Sequence, residues 1–231
     1  MSADALLFGA GGALGSVIRA TLEERGFQVF TAGASAGVVP DRHIQLPYDR
    51  APDKGVFAAL PPLDAVVWAQ GLNSSDAITA FELSDLKRLL QGNVVFVASS
   101  LAALFKAGKL LSGSRLAVVS SIWQLESRPG KFSYTVSKSA LRGLVKSCAI
   151  DLGAHGILIN AVLPGVVDTP MTRAHLSTQQ IAAITAQSAL HRLADPIDIA
   201  EAVAFLVSGS NRAITGQFLT VDAGFTGFKH A

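Results

Sequence analysis

The sequence predicts an α/β fold: a doubly wound parallel sheet of about seven strands with helices on both faces. Three observations predict it. Short apolar runs alternate with helix-spaced stretches along all 231 residues. Those runs are nearly continuous in apolar character, as strands covered on both faces are. A glycine-rich turn closes the first run and opens a helix.

The elements follow in order. Ala5–Phe8 is a short strand stopped by glycines. Ala13–Glu24 has helical spacing, with Leu14, Val17, Ile18 and Leu22 on one side, and Gly26 closes it. Gln28–Ala32 reads as the second strand and Ile44–Leu46 as a weaker third. Asp64–Ala69 is a buried strand leading to Gly71, followed by two helices over Leu83–Gln91 and Asn93–Ala107. Arg115–Ser121 is a strand, Ser133–Leu152 a long helix, and Ile157–Leu163 a strand. Ile197–Val207 is a helix and Gln217–Val221 the last strand. Residues 169–193 are polar, carry Ile181 and Ile184, and interrupt the alternation. They read as a short substrate loop or lid, or as an ordinary connecting helix. No linker, repeat or low-complexity stretch divides the chain, so residues 1–231 read as one domain.

Composition narrows the class. Half the residues are hydrophobic and 16% are charged, which suggests surface covered by subunit contacts. The net charge of +2, without a Lys/Arg block, disfavours a nucleic-acid partner. Cys148 is the lone cysteine and cannot form an intrachain disulfide, which points to a reducing, cytoplasmic setting. The first apolar run lacks a basic segment before it and reads as a strand, not a signal peptide. No apolar run reaches membrane-spanning length, so no membrane partner is expected.

The run Gly9-Ala10-Gly11-Gly12-Ala13-Leu14-Gly15 lies between the first strand and first helix. Glycines there allow a tight turn and bring backbone N–H groups close to a pyrophosphate, while the helix N-terminus adds positive potential. Gly9, Gly12, Ala13, Leu14 and Gly15 are therefore candidate dinucleotide contacts in a Rossmann-type site. A NAD-specific site of this kind carries Asp or Glu about 20 residues beyond the turn, on the ribose 2′-hydroxyl. The second strand instead ends in Ala32-Gly33-Ala34-Ser35-Ala36, with no carboxylate to repel a 2′-phosphate. Ser35 offers a hydroxyl to such a phosphate. The balance tilts to NADP(H) over NAD(H).

Tyr134 and Lys138 lie four apart in the long helix and share one face. A nearby ammonium favours the phenolate and lowers the phenol's pKa from about 10, fitting it for general acid/base work while a cofactor carries hydride. Ser121 ends a strand 13 residues earlier, at the sheet edge where ligands bind in open α/β folds. Asn93 opens a helix and either caps it or faces the same crevice. Trp123 follows Ser121 and lines either the substrate side or the core.

Together these residues resemble the short-chain dehydrogenase/reductase family in its small, single-domain form. The likeness rests on the glycine turn, Asp64, Gly71, Asn93, Val118-Val119-Ser120-Ser121 and Tyr134-Thr135-Val136-Ser137-Lys138. It continues through Ile159-Asn160-Ala161-Val162-Leu163-Pro164-Gly165-Val166-Val167-Asp168-Thr169-Pro170, Thr215-Gly216-Gln217 and Val221-Asp222-Ala223-Gly224. The resemblance implies that Tyr134 is the general acid/base and that Lys138 lowers its pKa and bonds the nicotinamide ribose. It implies that Ser121 polarises the substrate carbonyl and that Asn93 holds a water in a proton relay. Pro164, Gly165, Val167 and Thr169 would line the nicotinamide site, Asp49 would sit near the adenine, and Asn160 would be a structural support. It also implies a homo-oligomer, dimer or tetramer, built on the helices at 93–107 and 133–152. The chain departs from the family at Phe8 (usually Thr), Ala13 (usually Gly) and Ala69-Gln70-Gly71 (usually Asn-Ala-Gly), which puts the adenosine contacts in question.

None of the five histidines pairs with another at ligand spacing, and no Cys/His cluster suggests a metal. The expected activity is NAD(P)(H)-dependent interconversion of a small-molecule ketone and a secondary alcohol. Trp123, Leu125, Met171, Leu176 and Leu190 point to an apolar one. The competing reading is a catalytically silent NAD(P)-sensing regulator of the same fold. Such a sensor would have no use for Ser121, Tyr134, Lys138 and Asn93 together.

Overall fold

The computed structural model describes residues 3–34 and 40–227. Its strands are β1 (Ala3–Phe8), β2 (Phe27–Gly33), β3 (His43–Gln45), β4 (Leu63–Trp68), β5 (Leu110–Val119), β6 (Leu158–Pro164) and β7 (Phe218–Val221). They form one seven-stranded sheet in the order β3-β2-β1-β4-β5-β6-β7, with every neighbouring pair parallel. The order reverses between β1 and β4, whose last paired residues are Phe8 and Trp68. That reversal opens a crevice at the carboxyl ends of the two strands, where α/β folds bind ligands.

Strand residues alternate between two apolar clusters. Leu6, Phe8, Val66, Trp68, Leu116, Val118, Ile159 and Leu163 join one. Ala5, Leu7, Ala65, Val67, Ala117, Val119 and Val162 join the other. Helix α1 (Ala13–Glu24) brings Ile18 and Leu22 to the second face, and α7 (Pro196–Val207) brings Ile199, Val203 and Leu206. The first face is covered by α3 (Phe96–Lys106) and α4 (Phe132–Gly153), through Phe96, Leu101, Leu104, Leu141 and Val145. Burial on both sides explains the continuous apolar strands.

Several boundaries differ from the sequence reading. The two helices expected over 83–107 are one helical run: α2 (Leu83–Leu90), a π turn at Gln91–Val95, then α3. No proline breaks this stretch. Gly92 within the π turn lets Leu72 approach; a Cβ there would lie 2.7 Å from the Leu72 side chain. The merged Leu83–Lys106 run is long and apolar enough to cross a membrane, contrary to expectation, yet half of its apolar window is buried inside the protein. Strand β5 starts at Leu110 and stops at Val119, leaving Ser120 and Ser121 just beyond the sheet. Residues 169–193 hold two short helices, α5 (Pro170–His175) and α6 (Thr178–Gln187), neither with a fully buried residue. A Ser177–Gln180 capping box starts α6.

Phe8, the departure noted on the first strand, has a packing reason. It stacks on Trp68 with centroids 5.6 Å apart and meets Phe96 edge-on. Trp68 is fully buried, and its indole N–H donates to Ser100 Oγ at 2.8 Å. Trp68→Ala should therefore cost about 3–5 kcal/mol, read as a lower urea midpoint, because it removes the stack and opens a cavity.

Candidate active site

A cavity of about 420 Å³ lies at the carboxyl ends of β1, β2 and β4, a size typical of small-molecule sites. Gly9, Gly11, Gly12, Ala69, Gln70 and Gly71 form its glycine-turn side. Gly9 has φ +81°, and a Cβ on it would lie 2.6 Å from Gln70 N. A Cβ on Gly15 would lie 2.0 Å from Gly9 O. These two glycines are required by packing. Gly11 faces open space, so its missing side chain is room for a ligand. Gly12 is the α1 N-cap without a side-chain cap, and no acidic residue stands in the first turn. The N–H groups at Ala13, Leu14 and Gly15 therefore present positive potential at the cavity rim. This cradle fits a dinucleotide pyrophosphate. The buried Gln70 Oε1 on the lining has no protein partner and suits a ligand donor.

The other end of the cavity is lined by Thr31, Ala32, Gly33, Ala34, His43 and Tyr48. Ser35 lies outside the described residues. Asp49, expected near the adenine, is exposed and outside the lining; Tyr48 takes that place. Its hydroxyl donates to Ala32 O at 3.2 Å and stands 2.9 Å from where a Gly33 Cβ would be. Its ring meets Phe96 edge-on at 4.8 Å, and burial pushes the phenol up to about 12. Tyr48 went unread because its only signal is position, just after the third strand.

Ser121, Tyr134 and Lys138, expected to handle the proton, lie together, with Lys138 beside Gly71. Ser121 caps a short turn: its Oγ accepts the Trp123 N–H at 3.3 Å, and its hydroxyl is near enough to the Tyr134 phenol to lower its pKa. Tyr134 stands in the first turn of α4 and is only partly buried. Lys138 is buried; its Nζ donates to Val119 O at 3.2 Å and lies 5.7 Å from the Tyr134 ring centroid. A Cβ on Gly71 would lie 3.5 Å from that Nζ. Gly71 thus joins the glycine cradle to the amine.

The electrostatics differ from the expectation that Lys138 lowers the phenol. Burial raises the Tyr134 phenol above its ordinary value, and the Ser121 hydrogen bond offsets part of the rise. Burial also draws Lys138 down to about 8. Lys138 therefore favours the phenolate only while it holds its own proton.

Asn93 does not cap a helix. It is buried in the π turn, where its Oδ1 accepts the Leu72 N–H at 2.7 Å. Its Nδ2 donates to Leu72 O at 2.9 Å and to Ser137 Oγ at 3.0 Å. It holds the β4 exit against α4. Asn160 supports structure, donating to Ile214 O and accepting from Gln217 N. Pro164 ends β6, and Gly165, Val167 and Thr169 follow it; all four lie outside the cavity lining. A Cβ on Gly165 would lie 2.6 Å from Asp222 Cβ, and Thr169 Oγ1 caps α5 by accepting the Thr172 N–H. Trp123 is half-buried, with the Arg128 guanidinium 5.7 Å from its ring centroid. Among the described residues no group of three or more His, Cys, Asp or Glu is placed to hold a metal.

Comparison with known proteins identifies the family and the fold. The family profile described as enoyl-(acyl carrier protein) reductase matches residues 54–226. Cyclopentanol dehydrogenase of Comamonas is 34% identical over 172 residues, covering 74% of this chain and 69% of the relative. The 3-oxoacyl-[acyl-carrier-protein] reductase of Rickettsia felis is 29% identical over 95% of both chains. A short chain dehydrogenase family protein from Francisella tularensis superposes with TM-score 0.88 at 23% identity, over 99% of this chain and 100% of that one. A gluconate 5-dehydrogenase from Burkholderia cenocepacia, solved with NADP and tartrate, gives 0.87 at 21%, over 98% and 96%. At those identities the two structures speak for the fold.

Two outcomes test the site. Gly11→Ala should fold like the wild type but bind NADPH at least about tenfold more weakly, whereas Gly15→Ala should lose both stability and binding. Thermal melts and fluorescence titration separate them. Lys138→Met should stabilise the ligand-free protein by about 2 kcal/mol at neutral pH, by removing a charge that burial opposes. The folded amine titrates near 8 and the unfolded one near 10.5, so the wild type gains stability between those pH values. The variant's advantage should shrink across that window in urea melts.

Proposed function

The chain belongs to the short-chain dehydrogenase/reductase family and is an NAD(P)-dependent oxidoreductase, and we propose that it interconverts a ketone and a secondary alcohol with Tyr134 as general acid/base. The observation that carries this reading is the Lys138 amine, 5.7 Å from the Tyr134 ring centroid and 3.5 Å from where a Gly71 Cβ would be, at the mouth of the glycine cradle.

The dinucleotide, when bound, supplies or takes the hydride. In reduction, the Tyr134 hydroxyl gives its proton to the substrate oxygen as negative charge gathers there. Ser121 Oγ already accepts a backbone N–H, so its own proton is free to hydrogen-bond that oxygen. In oxidation the phenolate takes the alcohol proton. Lys138 offers its ammonium to the nicotinamide ribose, and Asn93, holding the β4 exit, supports a water relay that restores the proton.

Pro164, Gly165, Val167 and Thr169 form the nicotinamide end in this reading. Thr172 donates its hydroxyl proton to Val167 O at 2.6 Å, so Thr169 donates in the 3.0 Å pair between the two hydroxyls. Thr169 Oγ1 then keeps a lone pair for an amide N–H such as that of a carboxamide. NADP(H) is favoured because no carboxylate lines the adenosine end of the cavity among the described residues.

An apolar substrate is supported by Trp123 and by exposed Leu125, Met171 and Leu190. Relatives named for cyclopentanol and hydroxysteroids point the same way. Exposed Val95, Phe105, Val136 and Ile150 on α3, α4 and the π turn support a homo-oligomer, dimer or tetramer. The lone cysteine supports a cytoplasmic setting.

Tyr134→Phe should leave NADPH affinity nearly unchanged while cutting turnover by about 10²–10⁴. A panel of cyclic ketones assayed with NADPH and NADH reads both activity and preference. Retained turnover in the variant would reject the role given to Tyr134, and equal rates with both dinucleotides would reject the preference.

A further inference from the structure

Tyr134 has a second ammonium at its ring. Lys131 stands just before α4, three residues ahead of the tyrosine and one turn away. Its Nζ lies 5.5 Å from the Tyr134 ring centroid, against 5.7 Å for Lys138. Lys131 is 7% exposed, so little solvent screens its charge. It donates to Asn73 Oδ1 at 2.8 Å and to Ser74 O at 3.1 Å. Both acceptors are neutral. They orient the ammonium without cancelling it.

The charged groups around the pair come from each neighbouring element. Lys138 lies on α4 itself. Arg128 belongs to the segment before α4 and, with burial, pushes the Lys131 amine below its ordinary value. Asp76, on the segment after β4, acts in the opposite sense. That carboxylate is engaged elsewhere: it accepts the Ser133 N–H at 3.0 Å and the Ser133 hydroxyl. Ser121 reaches the phenol from the end of β5.

We infer that Lys131 is a positioning residue that acts with Lys138 on the acidity of the Tyr134 phenol. This inference rests on the acid/base reading of Tyr134. A positive charge at this range favours the phenolate and lowers the phenol's pKa by about one unit. The same ammonium ties residues 73 and 74 to the start of α4, so its charge and its hydrogen bonds must be tested apart.

Lys131→Gln keeps a donor and loses the charge; Lys131→Arg keeps both. The chain has two tyrosines, so phenolate absorbance read in a Tyr48→Phe background reports Tyr134 alone. In Lys131→Gln the Tyr134 titration and the alkaline rise of alcohol oxidation should both move up by about one pH unit. In Lys131→Arg both should overlay the wild type. NADPH affinity, read by fluorescence, should be the same in all three. Lys131→Met serves as a second uncharged variant should the Gln variant not fold. Curves for the uncharged variants that overlay the wild type would overturn the inference, as would an Arg shift equal to the Gln shift. A tenfold loss of NADPH affinity would overturn it too, by placing Lys131 in the cradle. Retained turnover in Tyr134→Phe would sink the acid/base reading instead, and the absorbance titration would still report on Lys131.

Discussion

An amine buried beneath the carboxyl edge of the sheet sets the terms for the rest of the structure. Lys138 is 3% exposed and has one backbone carbonyl, Val119 O, as its hydrogen-bond acceptor. Burial opposes its charge, so the site is held there against its own preference. Leu141, Val145 and Leu152 anchor α4 in the apolar cluster on that face of the sheet. Gly71 lets the β4 exit close over the amine without a side chain in the way. Asn93 fixes that exit by bonding both backbone groups of Leu72. The core supplies the stability that the site consumes, as functional sites commonly require.

Much of this was legible in the sequence, for identifiable reasons. Strands covered on both faces leave long apolar runs, and glycines forced by backbone contact leave a fixed spacing. Gly9 and Gly15 are examples, since a Cβ on either would meet backbone within 3 Å. Tyr134 and Lys138 announce themselves through helical geometry. Other features depend on long-range contacts that no local pattern encodes. Gly92 packs on Leu72 within the π turn joining α2 to α3, and Asn93 there is a clamp on Leu72 rather than a helix cap. Tyr48 reaches the cavity by crossing over Gly33, and Lys131 looks like an ordinary loop cation until α4 brings it to the tyrosine ring.

The departures from the family pattern show how the chain accommodates them. Phe8 replaces a small polar residue on the first strand, and Trp68 on the neighbouring strand stacks against it. The exchange converts a polar position into part of an aromatic cluster with Phe57 and Phe96. That cluster reaches the adenosine end of the cavity through Tyr48, which packs on Phe96. Gln70 brings a longer side chain to the turn after β4, and its oxygen is left unpaired on the cavity lining. An unpaired buried acceptor costs free energy unless a ligand meets it, so the substitution is best matched with bound dinucleotide.

The acidity of the pair has a consequence for direction. A phenol held above its ordinary pKa keeps its proton at neutral pH, so the ligand-free site is poised to donate. Reduction begins from that state. In the proposed oxidation the phenolate is required, and three groups stand where they would favour it: Ser121 and the ammonium groups at positions 131 and 138. The two amines are not equivalent. Lys138 is the more deeply buried, with its proton lost near pH 8, so its help fades as the solution becomes alkaline. Lys131 has Asp76 in range to hold its charge, against the pull of burial and Arg128. In the proposed reaction the two amines would give the phenol positive charge from two different surroundings, one at the start of α4 and one within it.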